Sequence, residues 1–286
     1  MDNGAHFHRC DFQVHTPRDI NWSGHRPSTP SDRRDYAQDF IRSCREKGLD
    51  AVAITDHHDT GFYRFIREAA ESERGPDGGP LDDKTRIIVY PGMELTLGIG
   101  CQALIILDAY FPLDFLPQVA TALSLSPNGQ DEPIHAPILR LDHFTDFDAL
   151  HNRLDELSIL KGKYIILPNV GSGGSTTLQR HGFLAHYKTM PCVGGYLDHA
   201  IERLGDGDRR ILEGKVDAYA YKPLGIFPTS DNRQREFGRL GINSVWVKWA
   251  EPTAEALRQA CLARKTRILH TTPQLPSLIV ESLHVS

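Results

Sequence analysis

The chain has 286 residues, 40% hydrophobic and 24% charged, and its 32 basic and 37 acidic side chains give a formal charge of −5. This composition is ordinary for a globular protein. The acidic excess excludes a surface coated for bulk nucleic-acid binding, though not a local cationic pocket. Cys10, Cys44, Cys101, Cys192 and Cys261 are scattered, odd in number and never spaced CxxC. They fit a reducing compartment better than a disulfide framework and offer no cysteine zinc cage. MDNGAHFHRCD carries no apolar segment of signal-peptide length, and no later run approaches a membrane span. The expectation is a cytoplasmic protein without a membrane partner.

In chain order, DFQVH reads as a first strand and Asp35–Lys47 as a helix capped by Ser31 or Asp32. Gly48 stops that helix, and AVAIT follows as a buried strand. Phe62–Glu73 is helix-like, GPDGGPLDDK is turn-rich, and RIIVYP and CQALIILD are the third and fourth strands. Phe147–Leu160 reads as a helix and KYIILPNV as a strand. VGGYL, VDAYAY, IFPTS and NSVWVKW are further strand candidates, and Thr253 caps a helix running through Ala263. This alternation predicts a parallel α/β sheet or a single βα barrel over residues 1–270. TTPQLPS then reads as a linker. LIVESLHVS reads either as the first strand of a following domain or as a closing edge strand, over 271–286.

Four segments place a metal-competent residue just past a strand. DFQVH ends in His15; AVAITDHHD brings Asp56, His57, His58 and Asp59; IVYPGMELT brings Glu94; GIFPTSDNR brings Asp231. In a parallel barrel these strand ends open on one face, so residues distant in sequence can converge. Taken alone, each segment also fits a hydrogen-bonded strand end or a solvated carboxylate. GSGGSTT lacks the Lys of a phosphate-binding P-loop and reads as a turn. His181, His186 and His199 fall in a helical region at spacings that suit structural or surface roles.

DFQVHT, GLDAVAITDHHDT, PGMELT and TSDNR, in this order, resemble the motifs of the PHP (polymerase and histidinol phosphatase) superfamily over about residues 7–270. The resemblance implies a distorted βα barrel with up to three metals that hydrolyses phosphoester bonds. DFQVHTPRDINWSG, MPCVGGYLDH and VKWAEPTAEALRQA look more narrowly like the N-terminal PHP region of TrlF-type AAA-like ATPases. That likeness implies an SMC-like or AAA-like ATPase domain or subunit as partner.

Carried over residue by residue, the resemblance makes His15, His57, Glu94 and Asp231 metal ligands, with Gln13 as a further ligand through its amide oxygen. Several expected histidines are replaced, by Gln13, Gln102, Asn169 and Arg233. The set therefore implies a divalent metal (manganese, zinc or magnesium) in fewer than three copies. Its oxygen-rich shell leans toward manganese or magnesium. Asp56 or His57 would orient or deprotonate a water. Arg233 and Arg18 would bind phosphate, and Arg233 would also stabilise charge at the reacting centre.

The expected function is a metal-dependent phosphoesterase, a phosphodiesterase or nuclease working with an ATPase. One alternative is a catalytically degenerate PHP module that serves as scaffold or phosphate-binding regulator. The other is an amidohydrolase-like C–N hydrolase.

Overall fold

The computed structural model describes residues 4–83, 85–126, 140–180 and 182–274. The first half holds β1 (His6–Val14), α1 (Pro30–Glu46), β2 (Ala51–Ile54), α2 (Tyr63–Glu71), β3 (Ile88–Leu97), β4 (Gln102–Leu107) and α3 (Leu116–Ala122). β5 (Arg140–Leu141), α4 (Phe147–Asp155), β6 (Tyr164–Pro168), α5 (Leu184–Thr189), β7 (Gly194–Leu197), α6 (Asp206–Leu212) and β8 (Gly225–Pro228) follow. β9 (Val245–Trp249), α7 (Ala254–Leu262), α8 (Arg264–Arg267) and β10 (Ile268–Leu269) complete the order.

The main sheet runs β10-β9-β1-β2-β3-β4-β6, with β5 on β3, and β7 and β8 pair in a separate parallel ribbon. The result is a mixed α/β fold whose sheet curls as a half barrel. The ribbon meets this sheet at an isolated bridge from Tyr196 to Asn169, and the loop after β8 meets it at another, from Asn232 to Val14. The sheet is not all parallel, as the strand–helix alternation suggested. β1, β2 and β3 are parallel, but β4 is antiparallel to both β3 and β6. The cause is the short turn after β3, where Leu97 N–H donates to Cys101 at 3.0 Å and Gly100 adopts φ 77. A connection that tight can only reverse the chain. The reversal brings Gln102, at the start of β4, to the end of the sheet where β1 and β2 finish.

The strands are apolar on both faces because both faces are covered. Ala51 and Ala53 of β2 join one core cluster and Val52 and Ile54 the other. Leu104 and Ile106 alternate with Ala103, Ile105 and Leu107 in β4 in the same way. This period-two split is what a strand buried on two sides requires. On one side, α1 lays Tyr36, Ala37, Phe40, Ile41 and Cys44 against the core. Each large side chain buried this way contributes about 1.5–3 kcal/mol. Thr29, rather than Ser31 or Asp32, caps α1. Its hydroxyl accepts from Asp32 N–H, and Asp32 reaches back to Thr29 N–H in a capping box. Thr253 caps α7 as its sequence position suggested.

VDAYAY is not a strand. Asp217–Tyr219 form a short 3-10 turn, and Ala220 and Tyr221 take φ of 57 and 50. All five cysteines are buried and unpaired. No described helix is long and apolar enough to cross a membrane. LIVESLHVS, from Leu278 on, lies outside the described residues, as does His181.

Candidate metal centre

A single irregularity in β1 aims its first ligand. Cys10 pairs with Ala51 and Asp11 with Val52, but Val14 pairs with Ile54, so β1 carries one residue more than β2 over this stretch. Before this bulge, Cys10 and Phe12 face the inner cluster. After it the parity shifts: Val14 faces the outer cluster, and Gln13 and His15 point inward. Without the extra residue, His15 would project toward α1. On β3, Ile88 and Tyr90 face the inner cluster, and the same parity brings Glu94 inward. Gly92 lets β3 and β4 close beside it, since a Cβ there would lie 2.6 Å from the Ile105 carbonyl oxygen.

His15 and His57 stack with ring centroids 5.2 Å apart and planes 17° from parallel. One carboxylate oxygen serves both rings on each side. Asp19 Oδ2 lies 3.0 Å from His15 Nδ1 and 2.8 Å from His57 Nδ1. Glu94 Oε2 lies 3.4 Å from His15 Nε2 and 3.2 Å from His57 Nε2. Asp231 Oδ1 is 3.1 Å from His15 Nε2. Asp231 itself takes the left-handed φ of 48, a conformation that costs a non-glycine residue energy and that recurs at functional sites.

Burial is nearly complete: His15, Asp19 and Asp56 are 0% exposed, Glu94 1% and His57 2%. The short separations around His15 are not matched by direction. Neither of its ring nitrogens makes a well-aligned hydrogen bond, so both are buried polar atoms without a partner. That is a poor hydrogen-bond network and a good ligand set. Nitrogen and oxygen atoms 3.1–3.4 Å apart are spaced as donors roughly 2.1 Å from one ion would be. Nδ1 of each ring faces Asp19 and Nε2 of each faces Glu94, where the Gln102 NH2 also lies 3.3 Å from His57 Nε2. Asp19 gives the usual support of a metal-bound histidine by a carboxylate behind it. His15, His57 and Glu94 thus fit one divalent cation, with Asp231 adjoining them through His15.

Arg233 fills the middle of the acidic ring. It donates from Nε to Asp231 at 2.8 Å, from Nη1 to Asp19 at 2.9 Å, and from Nη2 to Glu94 at 3.5 Å. Charge sets the protonation states. Burial alone would raise Asp19, but the close imidazoles of His15 and His57 and the Arg233 charge hold it well below the usual carboxylate range. Burial and Arg233 oppose a proton on His15, yet Asp19 and Asp231 outweigh them and lift it to about 10. A cation binding at the Nε2 atoms would therefore displace a proton. Burial, then the charge of Asp19, pushes Asp56 up to about 6.

Other expected site residues do different things. Gln13 does not offer a free amide oxygen. That oxygen is 2.6 Å from the Thr229 hydroxyl, and the Gln13 NH2 faces Glu94 Oε1 at 3.3 Å. The assignment follows from the network, since the reverse would set two acceptors face to face. Asp56 is engaged by Thr16: its two oxygens take Thr16 N–H and Thr16 O–H, each at 2.6 Å. Arg18 is not at an open mouth. It is 1% exposed, and its Nε lies 2.5 Å from Asp59 Oδ2. It also lies over Gly61, where a Cβ would come within 2.7 Å of the guanidinium carbon. The oxygens of Gln102 and Asn169 are committed to Thr176 O–H and Gly171 N–H.

Two residues were absent from the sequence-based site. Asp19 comes in through the turn after β1, where its N–H donates to the Thr16 carbonyl at 2.9 Å. Tyr196, from the buried strand VGGYL, donates its hydroxyl to Glu94 Oε1 at 2.8 Å. A cleft of about 510 Å³ lined by Arg9, Trp246 and His270 contains none of these residues.

No family model and no curated protein matches this sequence. Solved structures similar in fold include two endonucleases. One is Endonuclease Q in complex with a 27-mer duplex substrate bearing an abasic lesion, at 15% identity and a TM-score of 0.57, covering 92% of this chain and 58% of that one. The other is the lesion-specific endonuclease PfuEndoQ from Pyrococcus furiosus, at 15% identity and a TM-score of 0.55, covering 92% and 57%. This chain spans less than two thirds of either. The likeness is one of fold.

Proposed function

We propose that this chain is a metal-dependent phosphodiesterase acting on nucleic acid. The observation that carries the reading is the meeting of His15 Nε2, His57 Nε2 and Glu94 Oε2 at one buried position, with Asp231 Oδ1 beside His15 Nε2 at 3.1 Å. A divalent cation held there would supply Lewis acidity to a phosphoryl oxygen and to a bound water. The two carboxylates and the mixed nitrogen–oxygen shell favour manganese among the expected metals. Asp19 orients both imidazoles from behind. Arg233, whose side chain is 19% exposed, is the cation of this cluster that reaches solvent. Its fork suits a phosphate oxygen pair. The nucleic-acid part is supported by the fold shared with the two endonucleases. An ATPase domain or subunit as partner is supported by the TrlF-type motifs alone.

The test is direct. Purified chain is loaded in turn with manganese, zinc and magnesium, analysed for bound metal, and assayed on a simple aryl phosphodiester and on duplex DNA with and without an abasic site. Bound metal with hydrolysis that Asp231→Ala abolishes is expected. Absence of both metal and hydrolysis under every loading condition overturns the proposal.

A second reading, a silent scaffold, is favoured by the guanidinium of Arg233 reaching three carboxylates as a bound cation would. Full thermal stability without metal, unchanged by metal, is the result that would favour it.

A further inference from the structure

The two oxygens of Glu94 have separate surroundings. Oε2 faces His15, His57 and Arg233. Among the described residues, Oε1 faces two neutral donors: the Tyr196 hydroxyl at 2.8 Å and the Gln13 NH2 at 3.3 Å. Gln13 is itself fixed, because its oxygen is held by Thr229, whose hydroxyl also lies 2.9 Å from the Leu197 carbonyl. Tyr196 is 0% exposed and packs in the inner core cluster.

A carboxylate that bridges two cations with one oxygen on each needs both oxygens free. Here one oxygen is occupied by two N–H or O–H donors on rigid strands. The nearby amide oxygens of Gln102 and Asn169 are also taken. Resting on the metal reading above, we propose that Tyr196 and Gln13 form a clamp on Glu94 that takes the place of a second cation. The clamp restricts Glu94 to single-oxygen ligation through Oε2 and makes the centre mononuclear. Both are positioning residues, acting on the ion through Glu94.

Cobalt(II) is the probe, because its visible absorption reports coordination number and ligand geometry. Calorimetric titration of the wild-type chain is expected to show one ion per chain. Tyr196→Phe frees Oε1 on one side and is expected to weaken cobalt binding roughly tenfold and to shift the visible band. Its metal-free melting curve reports folding independently. Gln13→Ala serves as second variant should Tyr196→Phe not fold, with the same expected direction. Two ions per wild-type chain would overturn the clamp and leave the metal reading standing. Affinity within twofold of wild type and an unchanged spectrum in the folded variant would do the same. Failure of the wild-type chain to bind any cobalt would overturn both.

Discussion

Glu94 and Asp231 face the same atom, His15 Nε2, at 3.4 and 3.1 Å. The first comes from β3 and the second from the loop after β8, so only the curl of the sheet brings them together. Asp231 is also the first hydrogen-bond partner of Arg233. Asp231→Ala is therefore expected to lower metal affinity and hydrolysis by at least roughly 100-fold. It should retain a cooperative unfolding transition, because the carboxylate is partly exposed at 24%. Metal analysis and phosphodiester turnover on the same preparation check this. Full metal occupancy in the variant would remove Asp231 from the ligand set.

Arg233 separates an enzyme from a scaffold. It balances Asp19, Asp231 and Glu94, of which Asp19 and Glu94 are almost wholly buried. Arg233→Ala leaves those charges without their guanidinium. The expected cost to the metal-free chain is roughly 3–5 kcal/mol, as for other broken buried pairs. Manganese should restore much of that loss, since a divalent ion meets the same carboxylates. Denaturant unfolding with and without manganese reads both numbers. A loss of stability that manganese does not restore supports the scaffold.

The strand-end rule made most of this site legible in the sequence. His15, His57 and Asp231 follow strands whose apolar runs are plain to read, Glu94 lies inside β3, and the fold brings His15, His57 and Glu94 together with Asp231 beside His15. What escaped detection depended on backbone detail without a periodic signature. The β1 bulge is one residue of register, invisible in DFQVH, yet it decides which way His15 points. Asp19 reaches both imidazoles because a turn at Thr16–Asp19 folds HTPRD back on itself. The direction of β4 was hidden in the length of one turn. VDAYAY mimicked a strand through alternating small and apolar residues, but its left-handed residues Ala220 and Tyr221 prevent an extended run.

Arg18 shows the limit of proximity in sequence. Three residues from His15, it points into the wall and pairs with Asp59. Arg18→Ala should destabilise the fold by roughly 3–5 kcal/mol through the orphaned Asp59. The fraction that remains folded should keep the wild-type KM for a phosphodiester. Gly61→Ala should act in the same direction, since its new methyl meets the guanidinium. Urea unfolding and steady-state kinetics at low temperature check both. A raised KM with unchanged stability would return Arg18 to the substrate.

Asp11 supplies a pH signature outside the metal centre. It is fully buried and accepts Ser230 N–H at 3.1 Å and Gly241 N–H at 3.0 Å. Burial outweighs these bonds and pushes its carboxyl from 3.8 up to about 6. The folded state therefore holds this proton more tightly than the unfolded chain. Between pH 3.8 and about 6 the folded form binds more protons, so stability from this group falls as pH rises. The loss is complete above pH 6 and amounts to ~3 kcal/mol, at 1.36 kcal/mol per pH unit. Asp19 and Asp231 act in the opposite sense, since carboxyls held low lose stability as pH falls. The wild-type curve mixes these contributions, so the difference between wild type and Asp11→Asn is the quantity to measure. That difference should decline with rising pH across the window and be flat on either side. Urea unfolding from pH 3.5 to 7.5 gives it. A flat difference throughout would mean that Asp11 stays ionised at its ordinary pH despite its burial.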